Sequence, residues 1–247
     1  MKNNMLTEEN NIISNGVKLS IIVPAFNEKN TILEILKRIE AVQLPLNKEI
    51  ILVDDGSTDG TREILKSLPE EKYKVFYQEK NLGKGAAVRR GFKEVSGDII
   101  IIQDADLEYD PEEYGKLIGP ILKGKADVVY GSRLIGSEAH RVLYFWHYQG
   151  NRFLTFLSNM LSNLNLSDME TGYKVFSKQA LEKIRPYLTS DRFGLEPEIT
   201  MLIGKNKFRI YEVGITYAGR TYEEGKKIGW RDGFAAIYHI IKFGIRR

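Results

Sequence analysis

Residues 98–106 read DIIIIQDAD, and this stretch predicts the fold class. Four consecutive isoleucines are too short a run for a helix and are typical of a strand buried on both faces, as in a parallel sheet. The run leads into Asp104 and Asp106, whose carboxylates can approach one divalent cation. Such oxygen ligands suit Mg²⁺ or Mn²⁺. The alternative is a solvated acidic turn ahead of a helix, because Asp-x-Asp is a common pattern.

The sequence on either side alternates strand and helix patterns. Further apolar runs of strand length lie at residues 19–23, 49–53, 73–77 and 126–130. Amphipathic helical patterns separate them, so we expect an α/β fold, a Rossmann-like and mainly parallel sheet flanked by helices. Ligands of such sheets bind beyond the carboxyl ends of the strands. The polar segments at these predicted ends are residues 24–28, 54–55, 104–108 and 131–133.

After residue 133 the pattern changes. Residues 141–164 predict one or two aromatic-rich helices. Shorter elements follow: strands at 173–176 and 208–213, helices at 179–184, 196–203 and 232–243, and a loop at 220–229. No linker rich in Pro, Gly or Ser is present, so we expect one domain over residues 19–245. Its predicted halves are residues 19–133 and residues 134–245, and a flexible polar tail at 1–18 precedes them.

Composition excludes several classes of protein. The 247 residues contain no cysteine, which excludes a disulfide scaffold, a Cys-ligated zinc site and a thiol nucleophile. A net charge of +3 is far below the basic excess that nucleic-acid-binding chains usually carry, so no nucleic-acid partner is expected. No apolar run approaches the length of a bilayer span, which favours a cytoplasmic protein. The basic excess lies in residues 220–247, which carry +4, whereas the rest of the chain carries −1.

Two other motifs leave alternatives open. Residues 54–60, DDGSTDG, resemble a calcium loop, but with Asp55 as the first position the twelfth is Lys66, where a bidentate Glu is required. The segment is either a strand-to-helix turn or a carboxylate site for a nucleobase or ribose. Residues 81–85, NLGKG, open a predicted helix whose free N–H groups can face an anion. They match neither a dinucleotide fingerprint nor a Walker A loop.

Together these segments resemble the family 2 glycosyltransferases with the GT-A fold. The resemblance rests on SIIVPAFNE at 20–28, VDDGSTDGT at 53–61, NLGKG at 81–85 and DADL at 104–107, in matching order and spacing. Within the family the chain is similar to polyprenyl-phosphate sugar transferases of the dolichol-phosphate mannose synthase and dolichol-phosphate glucosyltransferase type. That narrower likeness rests on GSR at 131–133, DMETGYKVF at 168–176 and RTYEEGK at 220–226.

The resemblance implies transfer of a hexose, with inversion, from a nucleotide-diphosphate sugar (GDP-mannose or UDP-glucose) to a polyprenyl monophosphate (dolichyl or undecaprenyl). It implies Mg²⁺ or Mn²⁺ as cofactor, bound by Asp104, Asp106 and Glu108. The implied donor-binding residues are Pro24, Ala25, Asn27, Glu28, Asp54, Asp55, Gly83, Lys84, Asp104, Ala105 and Asp106. The implied catalytic residues, which stabilise the two phosphate groups, are Asp106, Arg133, Arg220 and Lys226.

The resemblance makes residues 19–133 the nucleotide-sugar-binding half and residues 134–245 the C-terminal acceptor-side subregion, which binds the acceptor and faces the membrane. It implies a membrane partner, because a polyprenyl acceptor is insoluble in water. Mannose synthases usually carry a basic cluster after the position of Arg133, whereas residues 141–149 here read RVLYFWHYQ. Arg141 and Arg152 are the candidates to replace that cluster. The aromatic residues are expected to sit at the headgroups of an anionic leaflet, with the enzyme peripherally bound to the cytoplasmic face. The alternative is that they form core or a dimer interface, and a homodimer or a membrane-protein partner stays open.

Other readings remain beside this one. A family 2 transferase acting on a glycan hydroxyl, or a non-catalytic nucleotide-sugar-binding protein, fits the same donor motifs. A sugar-1-phosphate nucleotidylyltransferase requires a Gly-rich, Arg-containing loop after the first strand, where this chain has residues 24–27, PAFN. A processive polysaccharide synthase requires membrane spans and a Gln-x-x-Arg-Trp motif, and neither occurs in this sequence.

Overall fold

The four isoleucines form the central strand of the sheet. The computed structural model describes residues 16–136, 141–142, 144–220 and 230–245. In it Ile99 and Ile101 pack into the core on one face of the sheet, and Ile100 and Ile102 pack into the core on the other. All four are at most 2% exposed, because helices cover both faces.

Within the described residues, seven strands form one mixed sheet, which confirms the predicted α/β class. They are β1 (Lys18–Ala25), β2 (Asn47–Asp54), β3 (Tyr73–Tyr77), β4 (Ile99–Ile102), β5 (Val128–Ser132), β6 (Lys174–Ser177) and β7 (Ile210–Gly214). The order across the sheet is β3-β2-β1-β4-β6-β5-β7. Only β6 among them runs antiparallel to its neighbours, β4 and β5. The segment that leads into β6 therefore lies at the same edge as the carboxyl ends of the other strands.

The helices occupy the two faces of the sheet. Those described are α1 (Ile32–Ala41), α2 (Thr61–Lys66), α3 (Lys84–Glu94), α4 (Tyr114–Leu122), α5 (Phe145–Ser162), α6 (Lys178–Ile184), α7 (Leu195–Asn206) and α8 (Trp230–Ile245). Helices α1 and α4 pack on one face, and α3, α6 and α7 pack on the other. Helices α5 and α8 lie outside α7, and Leu154, Met201 and Phe243 fill the space between them.

The sequence predicts two helix starts that the structure shows differently, an N-cap among residues 57–59 and a capping box formed by Asp110 and Glu113. Helix α2 begins after Gly60, whose left-handed backbone takes the N-cap position expected at residues 57–59. Asp110 caps a short 3₁₀ helix, Pro111–Glu113, by accepting from the backbone N of Glu112 at 3.1 Å. The expected capping box is absent there, because the Glu113 carboxylate accepts hydrogen bonds from Thr216 instead.

Backbone pairing continues past the strands at the carboxyl edge. The backbone N of Asp55 donates to the carbonyl of Ala25, and the backbone N of Gln103 donates to that of Ile22. These bonds hold the loops after β1, β2 and β4 side by side. In the described parts of the chain, no helix is long and apolar enough to cross a bilayer.

Candidate active site

Lys84 and Asp104 form an ion pair at the carboxyl edge of the sheet. The Lys84 Nζ lies 2.7 Å from Asp104 Oδ1 and 3.6 Å from Glu196 Oε1. Burial opposes the charge of this ammonium, but the two carboxylates outweigh burial and raise the pKa of Lys84 above its ordinary value. Lys84 therefore stays a cation, fixed beside the first Asp of the Asp-x-Asp motif.

Arg220 joins the second Asp of the motif to two glutamates. Its Nη2 donates to Asp106 Oδ2 at 3.0 Å, and its backbone N donates to Glu108 Oε1 at 2.8 Å. Its Nη1 lies 3.6 Å from Glu28 Oε2, after β1. Burial disfavours the guanidinium charge, but Asp106, followed by Glu28 and Glu108, raises the pKa of Arg220. Arg220 thus bridges the loops that follow β1 and β4.

Negative charge accumulates at Asp106. Burial, followed by the carboxylates of Asp104 and Glu108, raises the pKa of Asp106 to about 7 despite Arg220. An excess of carboxylate oxygens fits a divalent cation of the Mg²⁺ or Mn²⁺ type. Within the described residues, however, no three carboxylate or imidazole groups converge on one point. Glu108 instead accepts a hydrogen bond from the Tyr217 hydroxyl at 2.7 Å.

Asp54 and Asp55 lie at the end of β2 and are saturated by protein donors. Asp54 pairs with Arg62 Nε at 2.6 Å. Asp55 accepts from the backbone N groups of Leu82 and Gly83 at 2.9 and 2.8 Å. Burial is the largest influence on Asp55 and raises its pKa. Both carboxylates therefore order the loops, and their contact with a base or ribose stays a prediction.

The predicted donor residues after β1 and before α3 line the same edge. Pro24 and Ala25 end β1. Asn27 joins the loop after β1 to the loop after β2, because its Oδ1 accepts from the backbone N of Thr58 at 2.8 Å. Gly83 has a φ of 107°, where a side chain would strain the backbone and collide with Asp191. Pro24, Ala25, Asn27 and Gly83 thus lie along the same edge of the sheet as Asp104 and Ala105. Their roles in donor binding stay predictions.

Arg133 follows β5 and is bound by Asp168 in a two-pronged ion pair. Its Nε and Nη2 donate to the two Asp168 oxygens at 2.6 and 2.7 Å, and Asn151 of α5 donates to Oδ1 at 3.0 Å. Burial opposes ionisation of Asp168, but Arg133 outweighs it and lowers the pKa of that carboxyl. Arg133 is therefore held rigidly, and its charge is largely matched within the protein.

The segment 168–173, which leads into β6, brings residues to the site that sequence reasoning did not select. The backbone N of Gly172 donates to the Tyr109 hydroxyl at 2.8 Å, and a Cβ at Gly172 would collide with Asp104. Asp168 and Gly172 lie in the quoted motif at 168–176, so the motif was the available indication of a role. Glu196, on α7, has no such indication in the sequence, since only the tertiary fold places it beside Lys84.

Three predicted features lie partly or wholly outside the described residues. They are Lys226, which falls in residues 221–229, residues 1–15 of the predicted tail, and Arg246 and Arg247 at the end of the basic segment 220–247. Arg141 donates through Nη1 to the carbonyl of Gly219 at 3.0 Å, just ahead of Arg220. Arg152 instead lies over the Tyr148 ring.

The aromatic residues predicted to face a membrane are exposed. They are Tyr144, Phe145, Trp146, Tyr148, Phe153 and Phe156. This excludes the core as their location within one chain. The same helix contacts the site, because its Asn151 donates to Asp168. The exposed aromatic residues therefore lie on a helix that is anchored to the ion pair of Asp168 with Arg133.

Comparison with known proteins agrees with these features. Residues 20–185 match the family described as Glycosyl transferase family 2. A UDP-N-acetylglucosamine–dolichyl-phosphate N-acetylglucosaminyltransferase of Methanococcus voltae is 29% identical, over 90% of this chain and 94% of that protein. A dolichol-phosphate mannosyltransferase of Pyrococcus furiosus is 31% identical, over 92% of this chain and 63% of that protein.

A solved structure supports the fold. Glucosyl-3-phosphoglycerate synthase from Mycobacterium tuberculosis, crystallised with Mn²⁺, uridine diphosphate and phosphoglyceric acid, superposes with a TM-score of 0.74. The superposition covers 96% of this chain and 82% of that one at 21% identity. The same synthase has also been crystallised with Mg²⁺ and uridine diphosphate.

Proposed function

The chain belongs to glycosyl transferase family 2 and is a glycosyltransferase, and on that basis we propose that it transfers a hexose from a nucleotide-diphosphate sugar to a polyprenyl monophosphate. The observation that carries the proposal is the double ion pair at the carboxyl edge, Lys84 with Asp104 and Arg220 with Asp106. It puts two cations and two carboxylates where sheets of this class bind nucleotides.

Asp104 and Asp106 are the residues that would hold a divalent cation, with Glu108 supplying further oxygen. When bound, such a cation neutralises charge on the diphosphate that departs with the nucleoside. Lys84 and Arg220 match these carboxylates. With a divalent cation held by Asp104 and Asp106, the Lys84 ammonium and the Arg220 guanidinium would be available to phosphate oxygens of the donor.

The proposed reaction is an in-line displacement. An oxygen of the acceptor phosphate forms a bond to the anomeric carbon of the sugar, the bond from that carbon to the diphosphate breaks, and the diphosphate keeps the electron pair. The configuration at the anomeric carbon is inverted. Arg220 stabilises the charge that develops on the departing diphosphate, and Lys226 is proposed to assist it. Arg133 is proposed to orient the acceptor phosphate.

A phosphate acceptor fits the site better than a sugar hydroxyl. A hydroxyl must lose a proton as it attacks and so requires a general base, whereas a phosphate oxygen is already an anion. Asp168 is poorly suited as that base, because Arg133 and Asn151 occupy its oxygens and its pKa lies below the ordinary value. Asp106 has a raised pKa of about 7, but it is paired with Arg220 and is proposed to hold the metal, so it is not free to take a proton from the acceptor. The exposed aromatic surface of α5 next to Asp168 also supports a lipid acceptor at a membrane surface.

The direct test is a panel of donors. Purified protein is incubated with GDP-mannose, UDP-glucose or UDP-N-acetylglucosamine, a short polyprenyl phosphate and Mg²⁺ or Mn²⁺. We expect one donor to release its nucleoside diphosphate and to yield a lipid-linked sugar, and a metal chelator to abolish both. Release with a glycan hydroxyl acceptor but not with the lipid phosphate would favour the alternative transferase. Donor binding without release under any condition would favour a non-catalytic protein.

A further inference from the structure

Tyr217 contacts two groups of the proposed site and has no role in the reaction proposed above. It follows β7, and its hydroxyl donates to Glu108 Oε2 at 2.7 Å. The guanidinium carbon of Arg133 lies over its ring, 5.2 Å from the ring centroid. One side chain therefore contacts both a carboxylate next to the Asp-x-Asp motif and the arginine that is proposed to orient the acceptor phosphate.

The backbone around Tyr217 is fixed by contacts that do not involve its side chain. The backbone N of Ala218 donates to the carbonyl of Glu108 at 3.0 Å. The backbone N of Ile215 donates to the carbonyl of Ser132, also at 3.0 Å. These bonds join the segment to the loops after β4 and β5, so a change of the Tyr217 side chain alone should leave the segment in place.

The hydroxyl of Tyr217 orients the second oxygen of Glu108. The first oxygen, Oε1, accepts from the backbone N of Arg220 at 2.8 Å and lies 3.5 Å from its Nε. Arg220 also donates to Asp106 Oδ2 at 3.0 Å, so both carboxylates contact the same arginine. A carboxylate oxygen that accepts one hydrogen bond keeps a lone pair for a metal ion, and such hydrogen bonds orient metal ligands.

The ring of Tyr217 is a second restraint on Arg133, beside Asp168. Asp168 accepts hydrogen bonds from two nitrogens of the planar guanidinium, Nε and Nη2. A cation this close to the face of an aromatic ring is attracted to it. The ring of Tyr109 packs against that of Tyr217 at a centroid distance of 5.3 Å. The position of Arg133 therefore depends on an aromatic contact as well as on its ion pair.

We propose that Tyr217 is a positioning residue that joins the donor and acceptor sides of the site: its hydroxyl holds Glu108 for a divalent cation, and its ring holds Arg133 for the acceptor phosphate. The proposal rests on the proposed function and deepens it. Because different parts of one side chain make the two contacts, substitutions can separate them. Tyr217→Phe removes the hydroxyl and keeps the ring, whereas Tyr217→Leu removes both.

Metal binding tests the contact with Glu108 without any turnover. Mn²⁺ alone is titrated into each protein, and electron paramagnetic resonance measures the free ion. We expect both Tyr217 variants to bind Mn²⁺ about tenfold more weakly than wild type, as is typical when a group that orients a metal ligand is lost. Tyr211→Phe, at an exposed tyrosine of β7, is the control and should bind as wild type. Equal or tighter binding by Tyr217→Phe, or no binding by wild type, would overturn the proposal.

The KM for acceptor tests the contact with Arg133. It is measured with the short polyprenyl phosphate at saturating donor and metal. We expect Tyr217→Phe to stay within about twofold of wild type and Tyr217→Leu to raise this KM at least about fivefold, because the cation loses its ring. Tyr211→Leu is the control. A merely structural role would change the KM in both Tyr217 variants, so an equal KM in the two variants contradicts the proposal.

Two safeguards keep the outcomes distinct. Circular dichroism checks that each variant is folded, and Tyr217→Met, which also lacks the ring, replaces Tyr217→Leu if the latter does not fold. If wild type cannot use polyprenyl phosphate at all, the proposed function fails, and the Mn²⁺ titration still decides whether Tyr217 holds Glu108.

Discussion

Among single residues, Arg220 connects the largest number of proposed site groups. It contacts Asp106 and Glu28 through its guanidinium and Glu108 through its backbone N. The forked guanidinium presents its nitrogens in different directions, so Arg220 alone can contact the loops after β1 and β4 together. Its removal should therefore harm the reaction more than the fold.

Arg220→Ala should lower turnover at least about tenfold, because a cation that stabilises the departing diphosphate is lost. Steady-state kinetics with the preferred donor provide the measurement, and circular dichroism checks the fold. Arg209→Ala removes an exposed arginine that pairs with Asp127 at the opposite edge of the sheet, and it should leave turnover unchanged. Near-normal kinetics for Arg220→Ala would rule out the assigned role.

Gly172 tests how closely the segment before β6 must approach the carboxylates. A Cβ there would meet Asp104 Oδ2 and lie 2.8 Å from Tyr109 Cε2. Gly172→Ala should therefore displace Asp104 and lower activity, at a cost of about 1–3 kcal/mol in the free energy of unfolding. Gly150→Ala, where no atom lies within 4 Å, is the matched control. Equal activity of the two variants would contradict the close approach.

At the scale of elements, α5 presents an apolar stripe to solvent. Phe145, Trp146, Phe153, Phe156 and Met160 fall within an arc of about 100° on an ideal helix. All five are exposed, whereas Leu154 and Leu157 pack inward against α7 and α8. An exposed apolar patch of this kind marks an interaction surface, and its position beside Asp168 suits a lipid substrate.

Replacing both Phe153 and Phe156 by Ser should weaken binding to lipid vesicles by at least about tenfold, since burial of each ring contributes about 1.5–3 kcal/mol. Cosedimentation with neutral and anionic vesicles measures this. Tyr187→Ser is the control, because Tyr187 is 65% exposed but follows α6, away from this stripe. Failure of wild type to bind either kind of vesicle would favour a dimer interface.

At the scale of the whole molecule, the proposed site lies at the carboxyl edge of the sheet, and a network that stabilises the fold lies at the opposite edge. At the edge opposite the proposed site, the buried Glu49 accepts hydrogen bonds from Ser20 of β1, from Lys74 of β3 and from Ser96. Burial opposes its charge, but these donors together lower the pKa of Glu49 far below its ordinary value of 4.5. One carboxylate thus joins β1, β3 and the segment before β4.

Glu49→Gln should lower the free energy of unfolding by about 1–3 kcal/mol at neutral pH, with the activity of the folded protein unchanged. A carboxyl with a lowered pKa in the folded state contributes stability that is complete above its unfolded pKa and is lost as the pH falls below it. The difference from wild type should therefore shrink below about pH 4.5. Denaturant titration measures it, and Glu63→Gln, at an exposed glutamate, is the control. A constant difference at all pH values would contradict the assigned ionisation.

The sequence predicted the local features of the fold well. The seven described strands were each predicted with both ends within two residues of the observed ends. Buried strands such as Ile99–Ile102 are recognisable in sequence because they consist of apolar residues. Helix caps were less predictable. Glu113 was expected to cap its own helix, but Thr216 competes for its carboxylate from a distant part of the chain.

The sequence by itself determined the α/β class, the family and the position of Asp104 and Asp106 at a strand end, because these depend on periodicity and on motifs within short segments. Only the tertiary structure decided which charges meet: Lys84 with Asp104 and Glu196, Arg220 with Asp106, and Arg133 with Asp168. The antiparallel direction of β6 also brings Gly172 beside Asp104. Ion pairs and pKa values depend on distance and burial, and the fold alone brings together residues separated by tens of positions along the chain.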